Sequence, residues 1–148
     1  QDGAFDVVFN VESSHCYQAM APFLAEAKRV MAPGGYLLFA DFRAKDEIGA
    51  LRHELEKSGL RLVEETDITG NVLAALDLDH ERKHLEIDRR IAESLKLADH
   101  AGPFTPKARL HQLLVKWISE FIGARDSAIY REFKHRNSIY LSCVMQKE

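Results

Sequence analysis

The sequence has few cysteines, no long apolar run and no excess of one charge, and each shortage excludes a class of protein. Two cysteines among 148 residues cannot make a disulfide framework, so a reducing cytoplasm is the expected location. No run approaches the roughly 18–20 apolar residues that span a bilayer, so no membrane span is expected. Lys and Arg number 20 against 23 Asp and Glu, which argues against a nucleic-acid or anionic-membrane binder that works by bulk charge.

The first third of the chain alternates between strand and helix patterns. Short apolar runs that end in a polar residue indicate buried strands, and apolar residues three and four apart indicate amphipathic helices. Proline and glycine at 33–35 end the first helix. The predicted elements are a strand at 5–10, a helix at 18–31, a strand at 36–40, a helix at 45–58 and a strand at 61–65. This alternation predicts βαβ units on a parallel sheet.

The remainder is mostly helical and ends in a strand. A charged helix is predicted at 71–97, a loop at 99–106, an amphipathic helix at 107–122 and a last strand at 138–145. The predicted architecture is a three-layer α/β sheet with an all-helical insertion at about 70–135 before its last strand.

Two segments carry a resemblance to a known family. Residues 5–17 (FDVVFNVESSHCY) resemble the fourth strand and following loop of class I S-adenosylmethionine-dependent methyltransferases. Residues 24–41 (LAEAKRVMAPGGYLLFAD) resemble the helix, Pro-Gly-Gly turn and fifth strand that come next. Together with residues 126–130 and 138–145, they are similar to the subgroup of phthiotriol-type and polyketide O-methyltransferases, which is related to the sterol methyltransferases.

The resemblance implies a Rossmann-like methyltransferase sheet of which the chain is the C-terminal half, a single partial domain over 1–148. It implies S-adenosylmethionine as cofactor, a hydroxyl of a small lipid-like or polyketide molecule as acceptor, and no metal. The insertion at 70–135 would then cover the acceptor and exclude water. The family also needs a Gly-rich turn after its first strand. Here the only double glycine, Gly34-Gly35, precedes a strand, so the chain alone is expected to be inactive.

His15 is the candidate catalytic residue. It lies just past the carboxyl end of a predicted parallel strand, where open α/β sheets bind their ligands. Its imidazole would accept the proton of an acceptor hydroxyl. Glu12 is the first candidate for the carboxylate that orients this ring, ahead of Asp41 and Asp67, and Asp67 is also suited to capping a helix.

The resemblance also assigns binding residues. Asn10, Val11 and Glu12 would contact the cofactor, and Tyr17 and Asp41 the acceptor.

Aromatic residues are candidates for an apolar pocket. Tyr130 and Phe133, just before the last strand, are expected to form part of a lid over the acceptor. Trp117 and Phe121 are expected in the core instead, because aromatic residues at helical spacing are usually core residues.

Two other functions stay open. His80-Glu81-x-x-His84 has the spacing of a zinc protease helix, but Arg82 and Lys83 between the histidines favour a solvated helical face. Alternatively, the chain is a non-catalytic interaction module. Without the first three strands of the family's sheet, the strand at 5–10 would have an unpaired edge, which predicts a homodimer or aggregates through that strand.

Overall fold

The computed structural model describes residues 1–95, 106–125 and 127–148, without the side chains of residues 81, 94 and 107. Contacts divide the chain into unit 1 (residues 1–70 and 135–148) and unit 2 (residues 71–134). The elements are β1 Phe5–Val11, α1 Met20–Val30, β2 Met31–Ala44, α2 Ile48–Lys57, β3 Arg61–Asp67, α3 Thr69–Ser94, α4 Pro106–Phe121, α5 Ala128–Lys134 and β4 Ser138–Gln146. Most of the predicted loop at 99–106 lies outside the described residues.

The four strands form one sheet in the order β1-β2-β4-β3. β1 and β2 are parallel, with Val7 opposite Tyr36 and Val11 opposite Ala40. β4 is antiparallel to both of its neighbours, β2 and β3. The first three strands therefore point in one direction as predicted, and the last strand separates the second from the third.

The core of unit 1 lies between the sheet and the helices α1 and α2. Leucines at the predicted spacing fix the helical contacts, since Leu24, Leu51 and Leu55 are all buried. The other members are Ala27, Met31, Leu37, Phe39, Ile48, Leu60, Ile139, Leu141, Cys143 and Met145. These contacts confirm an open α/β sheet with packed helices.

The opposite face of β1 and β2 is apolar and exposed. Val8 and Asn10 point toward the core side, whereas alternate residues point the other way. Phe9 is 75% exposed and lies opposite Leu38, which is 42% exposed. The expectation that residues 5–10 form a buried strand is therefore wrong in unit 1. β1 is an edge strand. The two helices that pack on the sheet in this unit, α1 and α2, both contribute to the core on the other face.

The Pro-Gly-Gly segment has a structural role at the start of β2. Phe5 pairs with Met31 and Val7 pairs with Tyr36, so an advance of two residues along β1 corresponds to five residues along β2. Gly34 at the resulting bulge has φ +78, a conformation that suits glycine. A Cβ on Gly35 would lie 2.9 Å from the Ala32 carbonyl oxygen and 3.0 Å from that of Asp6.

Unit 2 contains α3, α4 and α5. The first two confirm the predicted helices, whereas α5 was not predicted. Near the end of α3, Ile91 is buried. Across the described residues, no helix combines the length and apolar character needed to cross a membrane.

Substituting Gly35 tests this account of the bulge. We expect Gly35→Ala to lower the free energy of unfolding by about 2 kcal/mol, because the new Cβ meets only backbone oxygens, which cannot move aside cheaply. Gly49→Ala is the matched control, since no atom lies within 4 Å of its added Cβ. It should leave stability unchanged or raise it by up to about 1 kcal/mol. Urea unfolding followed by circular dichroism measures both, and equal losses would contradict the account.

Candidate active site

His15 and Asp41 are hydrogen-bonded at the carboxyl ends of β1 and β2. His15 lies in a short 3₁₀ turn, Ser14–Cys16, that follows β1. Its Nδ1 lies 2.8 Å from Asp41 Oδ1, and its ring packs on Phe42 with the centroids 4.6 Å apart. A carboxylate only accepts, so Nδ1 carries the proton and Nε2 of the neutral ring is left with its lone pair.

Asp41 is fully buried, and four donors surround its carboxylate. Ser14 Oγ donates to Oδ2 at 2.6 Å, as does the His15 backbone N–H at 3.0 Å, and the Phe42 N–H donates to Oδ1 at 2.8 Å. Burial alone would raise the pKa of Asp41, but the hydrogen bonds from Ser14, His15 and Phe42 outweigh it and hold that pKa below its usual range. Asp41 is thus a carboxylate at neutral pH and lies beneath His15, so the expected contact between Asp41 and an acceptor is wrong.

Arg43 completes this arrangement. Its Nη2 donates to Ser14 Oγ at 2.8 Å, and its Nη1 lies 3.6 Å from Asp41 Oδ2. The serine hydroxyl therefore connects the guanidinium to the carboxylate. Because Ser14 is bonded to Asp41 and Arg43, it is not arranged as a nucleophile activated by His15.

A cavity of about 380 Å³ opens beside His15. Its lining includes His15, Tyr17, Met20, Phe42 and Arg43, with Leu51 and Glu54 from α2. The His15 side chain is 30% exposed whereas that of Asp41 is not exposed at all. The imidazole is thus the group that an entering molecule can reach, and Tyr17 lines the same cavity.

Glu12 does not orient His15. It ends β1 in a left-handed conformation with φ 49, and its backbone N–H donates to the Ala40 carbonyl. Its carboxylate is bonded to the hydroxyl of Tyr140, whose pKa is raised by burial and by the adjacent Glu12 charge. The left-handed backbone turns the Glu12 side chain toward β4, so the prediction that it is the partner of His15 is wrong.

Asp67 has the capping role that the sequence favoured. Its Oδ1 accepts the Thr69 N–H at 3.0 Å at the start of α3, and its other oxygen pairs with Arg136. It takes no part in the contacts of His15 described above.

Asn10 is buried and holds the loop after β1. Its Nδ2 lies 2.7 Å from both Ser13 Oγ and the Tyr17 hydroxyl. Its Oδ1 is buried without a hydrogen-bond partner among the described residues. An acceptor of this kind normally has a partner, so this atom is suited to a donor group of a bound molecule.

The aromatic residues of unit 2 do not lie as predicted. Tyr130 and Phe133 are buried on α5, and Tyr130 donates to Asp77 Oδ1 at 2.8 Å, so neither is an exposed lid residue in this structure. Trp117 and Phe121 were expected in the core but are 67% and 80% exposed.

The two histidines of the zinc-like string are neighbours on α3. Their ring centroids lie 5.7 Å apart, and His80 Nδ1 accepts the Arg125 N–H at 3.2 Å. The side chain of Glu81, the proposed base, lies outside the described residues. Among the described side chains, no group of three or more potential ligands is placed to hold a metal.

Sequence reasoning missed four residues of the site: Ser14, Phe42, Arg43 and Tyr140. The first three lie within two residues of His15 or Asp41 in the chain, so their proximity to the strand ends was an available signal. Tyr140 is part of the site because it lies opposite Phe42 in the pairing of β2 with β4. No local sequence pattern encodes that register.

Comparison with known proteins finds that the chain is similar to methyltransferases. Residues 1–39 match a family model described as a methyltransferase domain. A phthiotriol/phenolphthiotriol dimycocerosates methyltransferase of Mycobacterium ulcerans (strain Agy99) is 39% identical over 101 residues, 68% of this chain and 37% of the relative. A fatty-acid O-methyltransferase of Mycolicibacterium smegmatis is 32% identical over 120 residues, 81% of this chain and 43% of the relative.

A solved structure has the same fold. It is a phosphoethanolamine N-methyltransferase of Haemonchus contortus in complex with S-adenosylhomocysteine, with a TM-score of 0.65 at 15% identity, covering 99% of this chain and 34% of that one. The chain is similar to part of the class I S-adenosylmethionine-dependent methyltransferases. It spans about 40% of the length of the relatives that it matches.

The end of β1 carries hydrogen-bond acceptors that bear on the predicted cofactor contacts. S-adenosylmethionine, the cofactor of the family, carries an ammonium group and ribose hydroxyls, which are donors. The Asn10 Oδ1 acceptor and the Glu12 carboxylate are acceptors at this end of the sheet, and Val11 lies between them. These three residues are therefore suited to hold the cofactor. Gly34-Gly35 adjoins Phe5 and Asp6 at the other end of β1, so it is a turn and not a cofactor loop.

The buried Asp41 carboxylate predicts that the stability of the chain is sensitive to acid. Because its folded pKa is depressed, Asp41 stabilises the fold above the unfolded value of about 3.9, and this contribution is lost as the pH falls through the folded value. We expect Asp41→Asn to lower the free energy of unfolding at pH 7 by about 2 kcal/mol. It should also flatten the decline below pH ~4.

Urea unfolding between pH 3 and pH 7 measures both effects. The control is Asp46→Asn. Asp46 is exposed, so this variant should unfold like the unsubstituted chain. An unchanged acid profile in Asp41→Asn would contradict the role given to its hydrogen bonds.

Proposed function

We propose that this chain forms the acceptor side of an O-methyltransferase in which His15 is the general base. The observation that carries the proposal is the hydrogen bond from His15 Nδ1 to buried Asp41, beside an open cavity. The named relatives include a fatty-acid O-methyltransferase, which supports a lipid-like small molecule as acceptor. The alternatives of a zinc hydrolase and a non-catalytic module receive no support from the comparisons.

The chemistry of His15 follows from its partner. The bound cofactor supplies an electrophilic methyl group on a sulfonium, so the acceptor oxygen must be aligned with it and must lose its proton. With Nδ1 held by Asp41, His15 Nε2 accepts that proton. The resulting imidazolium is stabilised by the Asp41 carboxylate 2.8 Å away, and the Phe42 ring fixes the plane of the imidazole.

The cavity provides the acceptor environment. Met20, Phe42 and Leu51 offer apolar surface, which suits an aliphatic acceptor and removes water from the reacting oxygen. The Tyr17 hydroxyl, held by Asn10 at 2.7 Å, is placed between the proposed cofactor residues and the cavity. We assign it a positioning role.

The rest of the cofactor site is proposed to come from a segment that contains a strand followed by a Gly-rich turn. These 148 residues contain no such segment. The exposed edge of β1 is a template for such a strand. The insertion, unit 2, remains the proposed cover of the acceptor, and a cytoplasmic location is proposed from the two free cysteines.

The test compares two acceptors of equal chain length in the enzyme that contains this chain, a fatty alcohol and a fatty acid. An alcohol must lose a proton during transfer, whereas a carboxylate is already deprotonated at neutral pH. We expect His15→Gln to lower kcat for the alcohol by about 10²–10⁴ and to change kcat for the acid much less. Transfer of a labelled methyl group measures both rates.

His53→Gln is the matched control, because His53 is exposed on α2. It should change neither rate. Calorimetric titration with S-adenosylhomocysteine should give the same affinity for all three proteins. Undiminished alcohol methylation by His15→Gln would contradict the proposal.

We also propose that the isolated chain associates through β1, whose edge is free within the described residues. Val7, Phe9 and Val11 are exposed on this strand, so a second copy can extend the sheet and bury apolar surface. Light scattering at rising concentration should show dimers or larger species, and Phe9→Lys should shift the protein toward monomer. A monomer at high concentration would contradict this proposal.

A further inference from the structure

Helix α4 of unit 2 presents an apolar stripe to solvent. The stripe consists of Leu110, Leu113, Trp117 and Phe121. The last three are spaced four residues apart and so share one face of the helix. Their exposed fractions are 65%, 67% and 80%, and the rings of Trp117 and Phe121 stack with centroids 6.0 Å apart. Contiguous exposed apolar patches, unlike single exposed apolar residues, often mark contact surfaces.

The stripe lies on the side of α4 that faces away from α3. His111 on α4 contacts Asp88 on α3 at 3.2 Å, and Val115 and Ser119 line the same groove. In a helix Val115 and Ser119 lie about 160° from the centre of the stripe and His111 about 120° from it, since each residue advances by about 100°. Packing within unit 2 therefore uses the opposite face of α4.

The surroundings of the stripe are basic and apolar. Arg109 precedes Leu113 by four residues and Lys116 follows it by three, so both exposed cations lie beside that leucine. The nearby Glu120 carboxylate accepts the Ala128 N–H at 2.7 Å. An apolar hollow of about 440 Å³ lies along the stripe between Leu113 and Trp117.

From these features we infer that α4 docks onto an anionic lipid surface. Aromatic and leucine side chains on one face, with Lys and Arg at its border, are the features of helices that lie in the plane of a membrane interface. Trp117 and Phe121 would enter the boundary between headgroups and acyl chains, while Arg109 and Lys116 contact anionic headgroups. This binding depends on a local face, so it does not require an overall positive charge.

The inference goes beyond the proposed methyl transfer and does not depend on it, because no residue of the His15 site takes part. It adds a means by which a lipid-like acceptor would be taken from the surface in which it is dissolved.

Trp117 is the only tryptophan in the sequence, so intrinsic fluorescence reports directly on this face. The chain is titrated with vesicles of phosphatidylcholine mixed with phosphatidylglycerol, and with vesicles of phosphatidylcholine alone. We expect a blue shift of the emission with the mixed vesicles, and binding at least about tenfold weaker to the neutral ones. The absence of a shift with mixed vesicles would overturn the inference.

Leu113→Glu should weaken binding to the mixed vesicles on the order of tenfold or more. The control is Leu85→Glu, which changes an equally exposed leucine on α3, 73% exposed. It should bind like the unsubstituted chain, and circular dichroism checks that both variants stay helical. Equal weakening by the two substitutions would overturn the assignment to α4.

Two other occupants of the stripe are distinguished in the same experiment. A blue shift that grows with protein concentration without vesicles would assign the stripe to a second copy of the chain. Saturable binding of a monomeric short-chain fatty acid, without vesicle binding, would assign it to the acceptor itself. In the enzyme that contains this chain, the effect of His15→Gln on methylation of a water-soluble alcohol is measured without vesicles, so failure of this inference is distinguished from failure of the proposed function.

Discussion

The carboxylate of Asp41 is fully buried, and the donors that compensate for its burial fix the rest of the site. The main-chain N–H groups of His15 and Phe42 bind it, which sets the path of both strand ends. The Ser14 hydroxyl binds it as well and is held in turn by Arg43. A charge without these donors would be strongly destabilising in this position. The same hydrogen bonds that allow the charge to be buried therefore orient the imidazole.

The sheet explains why these groups meet. Parallel pairing of β1 with β2 brings the two carboxyl ends to one edge, where the turn after β1 supplies His15 and the last residues of β2 include Phe42. The antiparallel strand β4 then adds Tyr140 from a distant part of the sequence, beside Phe42. Glu12 is thereby engaged by Tyr140, which leaves Asp41 as the carboxylate of His15. Glu12 and Asp41 therefore lie at the same edge of the sheet but have different hydrogen-bond partners.

Local patterns predicted most of the fold. Leu24, Leu51 and Leu55 are buried at the expected spacing, and the four strands were each located, because their apolar runs are bounded by Gly, Pro or charged residues. His15 and Tyr17 line one cavity, and both follow a parallel strand.

The errors have a common physical origin, because each depends on contacts that are distant in sequence. The choice of Glu12 over Asp41 failed since sequence proximity does not give the left-handed turn at Glu12. The burial of Tyr130 and the exposure of Trp117 depend on which face of a helix finds a neighbour. Both faces of α4 contain apolar residues, so periodicity alone does not decide which face packs.

The position of β4 between β2 and β3 has a consequence for the order of folding during synthesis. Residues 68–137 leave the ribosome after β3 and before β4, so β2 and β3 cannot be joined until the strand that separates them has been made. Until then, β2 has an open edge, and Leu37 and Phe39 lack the side chains of β4 that later cover them. Closing so long a segment is slow, so this edge of β2 stays unpaired for an extended interval in the nascent chain.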